Sequence, residues 1–217
     1  MTETAIHPET RAAWAKRLRR LRRALVPHRP KAFRDSLNRW LLMGTVIGIV
    51  SGVGAIIFFF CLETGTHWLL ETLGSYTPPG TLGEGGGATS TGPTRPWAIP
   101  LVVTGGALVS GILVYFVAPT AKGHGTDNAI HAVHHDPTAL KGKVAAVKII
   151  ASALVIGSGG SGGREGPTAQ ISATVISSLC KKLKIATPDA RIAVSAATAS
   201  GIGAIFRAPL GGALLGA

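Results

Sequence analysis

The stretch Gly157-Ser-Gly-Gly-Ser-Gly-Gly-Arg-Glu-Gly-Pro-Thr-Ala-Gln-Ile171 interrupts an apolar part of the chain with glycines and then continues into helix-forming residues. Pro167 suits the first position of a helix, because the amide that proline lacks has no partner there in any case. Glycines before a helix let an ion approach the exposed amides, and the helix macrodipole places about half a positive charge at that end. The stretch therefore predicts a helix start that attracts anions.

Two further glycine-rich segments precede helix-start signals. Gly123-His-Gly-Thr-Asp127 ends in residues that cap helices well, and Gly201-Ile-Gly-Ala-Ile-Phe-Arg-Ala-Pro209 ends in another suitable proline. Half a charge at ~4 Å, with an effective dielectric constant near 20, supplies only ~2 kcal/mol. Removing water from an anion costs much more. Several helix starts must therefore converge, together with hydroxyl or amide donors, before a small anion is held.

The composition places these segments in a membrane protein. Hydrophobic residues make up 46% of the 217 residues and charged residues only 15%, which is too apolar for an ordinary soluble domain. The same balance excludes a disordered chain and disfavours a nucleic-acid-binding domain. Cys61 and Cys180 lie in or beside apolar runs, which favours small core residues over a disulfide or a metal pair.

The first part of the chain is strongly basic. Residues 1–40 hold 11 of the 22 lysines and arginines beside three acids, within a net charge of +12. Apolar residues recur there with the spacing of one helix face, at Trp14, Leu18, Leu21 and Leu25. We therefore expect residues 1–37 to form a cytoplasmic region whose amphipathic helix rests on an anionic membrane surface. An unstructured basic leader is the alternative.

Two uncharged stretches, Trp40–Leu62 and Pro96–Ala121, are long enough to cross a ~30 Å hydrocarbon core as helices. Residues 74–96 carry seven glycines and four prolines between them, which predicts a loop outside the bilayer. The distribution of lysine and arginine on the flanks predicts a cytoplasmic amino terminus. Glycines every four residues in the first stretch predict close contact with a neighbouring helix; they are Gly44, Gly48 and Gly52.

Beyond Lys122 the apolar stretches become too short to cross a membrane. Glycine clusters and ionisable residues interrupt them, and irregular backbone at membrane depth survives only where protein or a watery cavity satisfies its amides. The pattern therefore predicts broken helices that surround a site or a pathway.

At residues 157–171 the sequence closely resembles the signature of the CLC family of chloride channels and proton/chloride exchangers. Gly123-His-Gly-Thr-Asp127 resembles a displaced form of the family's first filter motif, and Phe206-Arg-Ala-Pro-Leu-Gly-Gly resembles the start of a later helix. The resemblance covers residues 38–217. It implies an all-α, multi-pass membrane fold with broken and re-entrant helices, and it leads us to expect the first of two inverted halves, truncated within that half.

The same resemblance implies a set of site residues. Glu165 matches the gating glutamate, a carboxylate that occupies an anion position when ionised and moves away when it accepts a proton. The implied anion-binding residues are His124, Gly125, Gly163, Arg164 and Gly166. The histidine stands where the family has a serine, so an imidazole N–H replaces a hydroxyl, and its protonation near neutral pH would add positive charge.

The function implied by the resemblance is the transport of chloride or a similar small anion across a plasma or inner membrane. Protons and the lipid bilayer are further expected partners, and a homodimer is the expected assembly. We expect no enzymatic activity, no cofactor, no bound metal and no nucleic-acid partner. Channel and exchanger both stay open, because the family residues that separate them belong to the second half.

Three other interpretations fit the sequence less well. Gly157-x-Gly-x-x-Gly162 matches a dinucleotide fingerprint, but lysines occupy the region about 20 residues on, where that fingerprint needs an acid. His131 and His135 are one helical turn apart, yet no carboxylate or cysteine pattern completes a closed metal site. A structural or assembly membrane protein, or a fragment inactive by itself, explains the glycines but not Glu165.

Overall fold

The structure is a computed structural model that describes residues 31–78, 92 and 94–216. Seven α-helices form most of this part of the chain. The all-α class is confirmed. A seven-residue π-helix, His67–Leu73, continues the first helix, and a short 3-10 helix spans Pro119–Ala121. The α-helices are α1 Lys31–Thr66, α2 Ala98–Val117, α3 Thr126–His134, α4 Lys143–Gly157, α5 Glu165–Lys182, α6 Thr187–Ile205 and α7 Pro209–Leu215.

The chain divides into two compact units, Met1–Leu42 and Met43–Ala217. The described part of the first unit is the beginning of α1, and the helix packing discussed below belongs to the second unit. The predicted amphipathic helix at residues 1–30 and most of the predicted loop, residues 79–91 and 93, lie outside the described residues.

Two helical segments have the length and composition to cross a membrane. They are Leu37–Leu73, with 37 residues, and Ala98–Val117, with 20 residues, and the mean hydropathy of an 18-residue stretch within them is 2.5 and 2.0. Large apolar side chains face outward on both: Phe60 is 67% exposed and Phe116 is 75% exposed. An outward apolar surface of this kind is typical of contact with lipid, and the multi-pass fold predicted for the chain is confirmed.

The helices after Lys122 are broken by glycine segments, as predicted, although α5 and α6, with 18 and 19 residues, are nearly as long as α2. With 9 and 7 residues, α3 and α7 span only about 14 Å and 10 Å at 1.5 Å per residue. Two of the predicted interruptions are narrower than the glycine pattern suggested. Gly157 is the last residue of α4, and Gly201–Ile205 belongs to α6, because packing against neighbours offsets the low helix propensity of glycine.

Helix α5 lies at the centre of the second unit, where it contacts α3, α4 and α6. Twelve of its 18 residues are buried, although its threonines, serines and glutamine make it too polar for a lipid-facing span. Ile171 packs with Phe58 of α1, and Ile176 packs with Val194 of α6. The neighbouring helices therefore shield α5 and bring its first turn into the interior of the fold.

Glycines permit the closest helix contacts. Carbon atoms at the Cβ positions of Gly65 and Gly157 would lie 2.9 Å from the Ala153 oxygen and 2.8 Å from the Gly65 carbonyl carbon, so α1 and α4 touch through their backbones. The glycine face predicted on α1 behaves differently. No atom lies within 4 Å of the Cβ positions of Gly44, Gly48 and Gly52, so the described residues supply no neighbour for that face.

The contact of α1 with α4 predicts a specific sensitivity to added volume. We expect Gly157→Ala to lower the free energy of unfolding by about 1–3 kcal/mol, because its methyl group would overlap the backbone of Gly65 and Thr66. Gly105→Ala on α2 is the matched control, since its methyl group would enter open space and alanine favours the helix by up to ~1 kcal/mol. Denaturation in detergent micelles, followed by circular dichroism, measures both. Equal loss of stability in the two variants would contradict the described contact.

Candidate anion site

The glycine turn at residues 123–125 packs directly against the first turn of α5. Gly123 and Gly125 have φ angles of +81° and +108°, in the region that glycine adopts far more readily than other residues. Gly125 is the residue at the amino-terminal cap of α3, and Asp127 lies in the first turn of that helix. Two of the predicted helix starts, those of α3 and α5, are therefore neighbours.

Glycine is required on both sides of this contact. A carbon atom at the Cβ position of Gly166 would overlap the carbonyl oxygen and the ring of His124. At Gly125, the same addition would lie 2.8 Å from Gln170 Oε1 and 2.9 Å from the carbonyl oxygen of Gly166. The small size of these residues, besides their conformational freedom, thus brings the two helix starts together.

The first turn of α5 contains Glu165, the residue predicted as the gate. Arg164 is the cap residue and Glu165 is the first residue of the helix, where the macrodipole favours a carboxylate. The hydroxyl of Thr168 donates to the carbonyl oxygens of Arg164 and Glu165, at 2.9 Å each. Pro167 was predicted at the first helical position and occupies the third instead, because the first turn tolerates a missing amide at any of its positions.

The carboxylate of Glu165 folds back over the glycines that precede the helix. A carbon atom at the Cβ position of Gly163 would lie 2.6 Å from both of its oxygens. The Glu165 residue is half-buried, whereas Gly163 is exposed. Any side chain at position 163 would therefore displace the carboxylate from this location.

Lys148 on α4 is a functional candidate that the sequence analysis missed. It is only 5% exposed, and its Nζ donates to the carbonyl oxygens of Ala121, at 3.1 Å, and Gly123, at 2.6 Å. The lysine therefore holds the glycine turn and places a cation behind it. A charge within the apolar run 144–156 was the available signal, since charged residues inside membrane proteins usually serve a site.

Two amide side chains hold the backbone at Thr120, just before the glycine turn. Asn128 of α3 and Gln170 of α5 both donate to the carbonyl oxygen of Thr120, at 2.9 Å and 3.1 Å. Gln170 is fully buried, and its Oε1 has no hydrogen-bond partner. The link joins α3, α5 and the 3-10 helix, so the helix starts keep a defined separation.

A cavity of about 380 Å³ lies beside the two helix starts. Among the described residues its lining contains no acidic side chain and several groups that carry or can accept positive charge. The polar and helix-start members of the lining are Ser110, Lys122, His124, Lys148, Ser152, Gly163 and Pro167. The Nδ1 atom of His124 lies 3.1 Å from the Thr126 hydroxyl, so the exposed imidazole is held near the start of α3.

The structure brings most of the predicted site residues into one neighbourhood. His124, Gly125 and Gly166 are in contact, and Glu165 lies over Gly163 beside them. The guanidinium of Arg164 lies 5.8 Å from the centre of the Phe59 ring.

The third predicted helix start lies elsewhere. Pro209 begins α7 as predicted, but α7 packs against α6, where the Cβ position of Gly203 lies 3.2 Å from Gly212 Cα. Pro209 and Gly212 line a groove along α6 that contains neither His124 nor Glu165. Within the described residues, two helix starts converge rather than three.

The contacts of Lys148 predict a local effect on the glycine turn. We expect Lys148→Met to accelerate hydrogen exchange at the amides of residues 123–125, because two carbonyl groups of this segment lose their buried donor. Lys122→Met is the matched control, since that exposed lysine lines the same cavity. Exchange followed by mass spectrometry in detergent checks both. An identical exchange rate in the two variants would show that Lys148 does not hold the turn.

Comparison with known proteins supports the resemblance. The model of the family described as "Voltage gated chloride channel" matches residues 106–217, slightly more than half of the chain. Those residues include the glycine turn, Lys148 and the start of α5.

Curated relatives carry related names. A protein of Ralstonia nicotianae named "Putative chloride channel protein ClcB-like" is 28% identical over 80% of this chain and 39% of its own length. The "H(+)/Cl(-) exchange transporter ClcA" of Vibrio campbellii is 29% identical over 78% of this chain and 33% of its own length. A "Chloride/fluoride channel protein" of Pseudomonas syringae pv. tomato is 22% identical over 83% of this chain and 34% of its own length. The chain thus spans about a third to two-fifths of these relatives.

Proposed function

Because the chain belongs to the voltage gated chloride channel family, we propose that it forms part of a membrane pathway for chloride or a similar small anion. The observation that carries this proposal is the contact between two helix starts beside a cavity lined by cationic groups. His124, Gly125 and Gly166 form that contact, and Lys148 lies among the residues around the cavity.

The electrostatics favour an anion over a cation at this position. Each helix start contributes about half a positive charge, worth only ~2 kcal/mol at ~4 Å for an effective dielectric constant near 20. Two starts together roughly double that contribution, and the ammonium group of buried Lys148, when protonated, adds positive charge of the same sign. Several partial contributions of the same sign can thus offset the cost of removing water from an anion, which one helix end cannot.

Glu165 is the group that we propose as the gate. Its carboxylate lies at the start of α5, so it can accept hydrogen bonds from the same amides that would hold an anion. An ionised carboxylate therefore competes with the anion, and a protonated one no longer does so. Proton binding and anion binding are coupled through this competition, which serves either a gated channel or an exchanger.

The surroundings of the pathway follow from the same proposal. The two apolar spans would lie in a plasma or inner membrane, and the basic residues 1–40 would keep the amino terminus in the cytoplasm. A homodimer is the assembly that we propose from the family resemblance. The uncovered glycine face of α1 is compatible with contact to a further helix.

The gate assignment predicts the pH dependence of transport. In a longer protein that contains these residues and transports anions, Glu165→Gln should make chloride flux nearly independent of external pH, because the amide resembles the protonated acid and cannot ionise. Chloride efflux from liposomes at a series of pH values provides the measurement. Glu63→Gln, which alters an exposed carboxylate on α1, is the control and should keep the wild-type pH dependence. A Glu165→Gln profile that follows the wild type would refute the gate.

The position of His124 predicts an effect on anion preference. We expect His124→Ser in the same longer protein to change the permeability ratios among chloride, nitrate and fluoride, because a hydroxyl donor replaces an imidazole at the start of α3. His67→Ser, at an exposed position of the π-helix, is the matched control. Reversal potentials or competitive efflux assays give the ratios, and identical ratios in all three proteins would exclude a filter role for His124.

A further inference from the structure

From the stacked imidazole rings of His131 and His135 at the end of α3, we propose a binding site for a divalent transition-metal cation. The proposal goes beyond anion transport, because this end of α3 is opposite to the end that carries His124 and Gly125. Both histidines are exposed, so a cation can reach them from solvent without opening the fold.

The two rings lie within reach of one ion. They are nearly parallel, with an interplanar angle of 8° and centroids 4.1 Å apart. A tetrahedral site with metal–nitrogen distances of 2.0–2.1 Å needs its two nitrogens ~3.3 Å apart and both lone pairs directed at the ion. Because the lone pairs of stacked rings lie in parallel planes, metal binding requires the rings to turn out of the stack about their side-chain torsions, which exposed residues do freely.

A backbone hydrogen bond selects the nitrogen that would bind the metal. His135 Nδ1 lies 3.2 Å from the carbonyl oxygen of His131. When Nδ1 is the donor, the proton of the neutral ring resides on that atom and Nε2 keeps a lone pair. Metal-binding histidines commonly donate their second nitrogen to a carbonyl in this way, which orients the ring and raises its basicity.

The electrostatics around the pair also favour a cation. The carbonyl groups at the end of α3 carry the negative end of its macrodipole, which favours a cation there. Asp136 adds a carboxyl group next to His135, where Oδ1 accepts hydrogen bonds from the amide and the hydroxyl of Thr138 at 2.9 Å and 2.8 Å. Two basic side chains lie nearby. Arg191 donates to the His134 carbonyl oxygen, and Lys181 lies near Asp136. Neither contacts the stacked rings in the described contacts.

Two imidazoles without a third side chain make an open site. No group of three or more histidine, cysteine, aspartate or glutamate residues suited to a metal lies in the described part of the chain. Water would therefore complete the coordination, and the affinity order should follow the usual preference of nitrogen ligands for Cu²⁺ over Ni²⁺ and Zn²⁺. Such a site suits reversible binding rather than a permanently held ion.

Calorimetric titration of the untagged chain in detergent with Ni²⁺ tests the proposal. We expect His131→Ala and His135→Ala each to weaken binding by roughly tenfold or more, a typical loss when a metal site is impaired. His134→Ala, next to the pair but outside the stack, is the matched control and should bind as the wild type does. Binding should also weaken as the pH falls and the imidazoles take up protons.

A spectroscopic measurement distinguishes direct ligation from an indirect effect of the substitutions. Electron paramagnetic resonance of bound Cu²⁺ should show two equatorial nitrogens in the wild type and in His134→Ala, and fewer in His131→Ala. Circular dichroism of each variant verifies that α3 is retained. Equal Ni²⁺ affinity in the wild type and the His131→Ala/His135→Ala double variant would place the binding on the other five histidines and overturn the proposal, as would a loss in His134→Ala equal to that in His131→Ala.

Discussion

The candidate site depends on a steric constraint, namely that no side chain separates the glycine turn from the first turn of α5. His124 fills the space that a Cβ atom on Gly166 would need, and Gly125 lies against Gln170 in the same way. Because these backbones touch, the partial positive charges of two helix starts act on one small region. Every later step of the proposed function, from the retention of an anion to competition with Glu165, requires that proximity.

The polar groups behind the turn explain how such irregular backbone persists inside an apolar fold. Exposed carbonyl groups at membrane depth are costly unless they find donors, and Lys148, Asn128 and Gln170 supply donors from three different helices. The same lysine also makes the region electropositive. Structural support and electrostatic preference for an anion therefore arise from one side chain, which distinguishes this cluster from a glycine-rich packing surface.

The sequence predicted the parts of the site better than their arrangement. Glycine breaks, capping residues and the two long apolar stretches are local signals, and they identified the helix starts near Thr126 and Pro209, both spans and the short helices. Contacts between segments that are distant in the chain produce a weaker signal in the sequence. Nothing local shows that residue 124 meets residue 166, that Lys148 turns toward Gly123, or that the start of α7 lies along α6. The glycine face of α1 illustrates the converse case, because a local pattern predicted a neighbour that the described residues do not supply.

Anomalous scattering from bromide tests the central claim most directly. In crystals grown with bromide, a protein containing these residues and the Glu165→Gln substitution should show an ordered ion within hydrogen-bonding distance of the amides at the start of α5, close to His124. The wild-type protein, whose ionised carboxylate competes for those amides, should show a weaker peak at the same place. Bromide found only at other positions in both crystals would contradict the account.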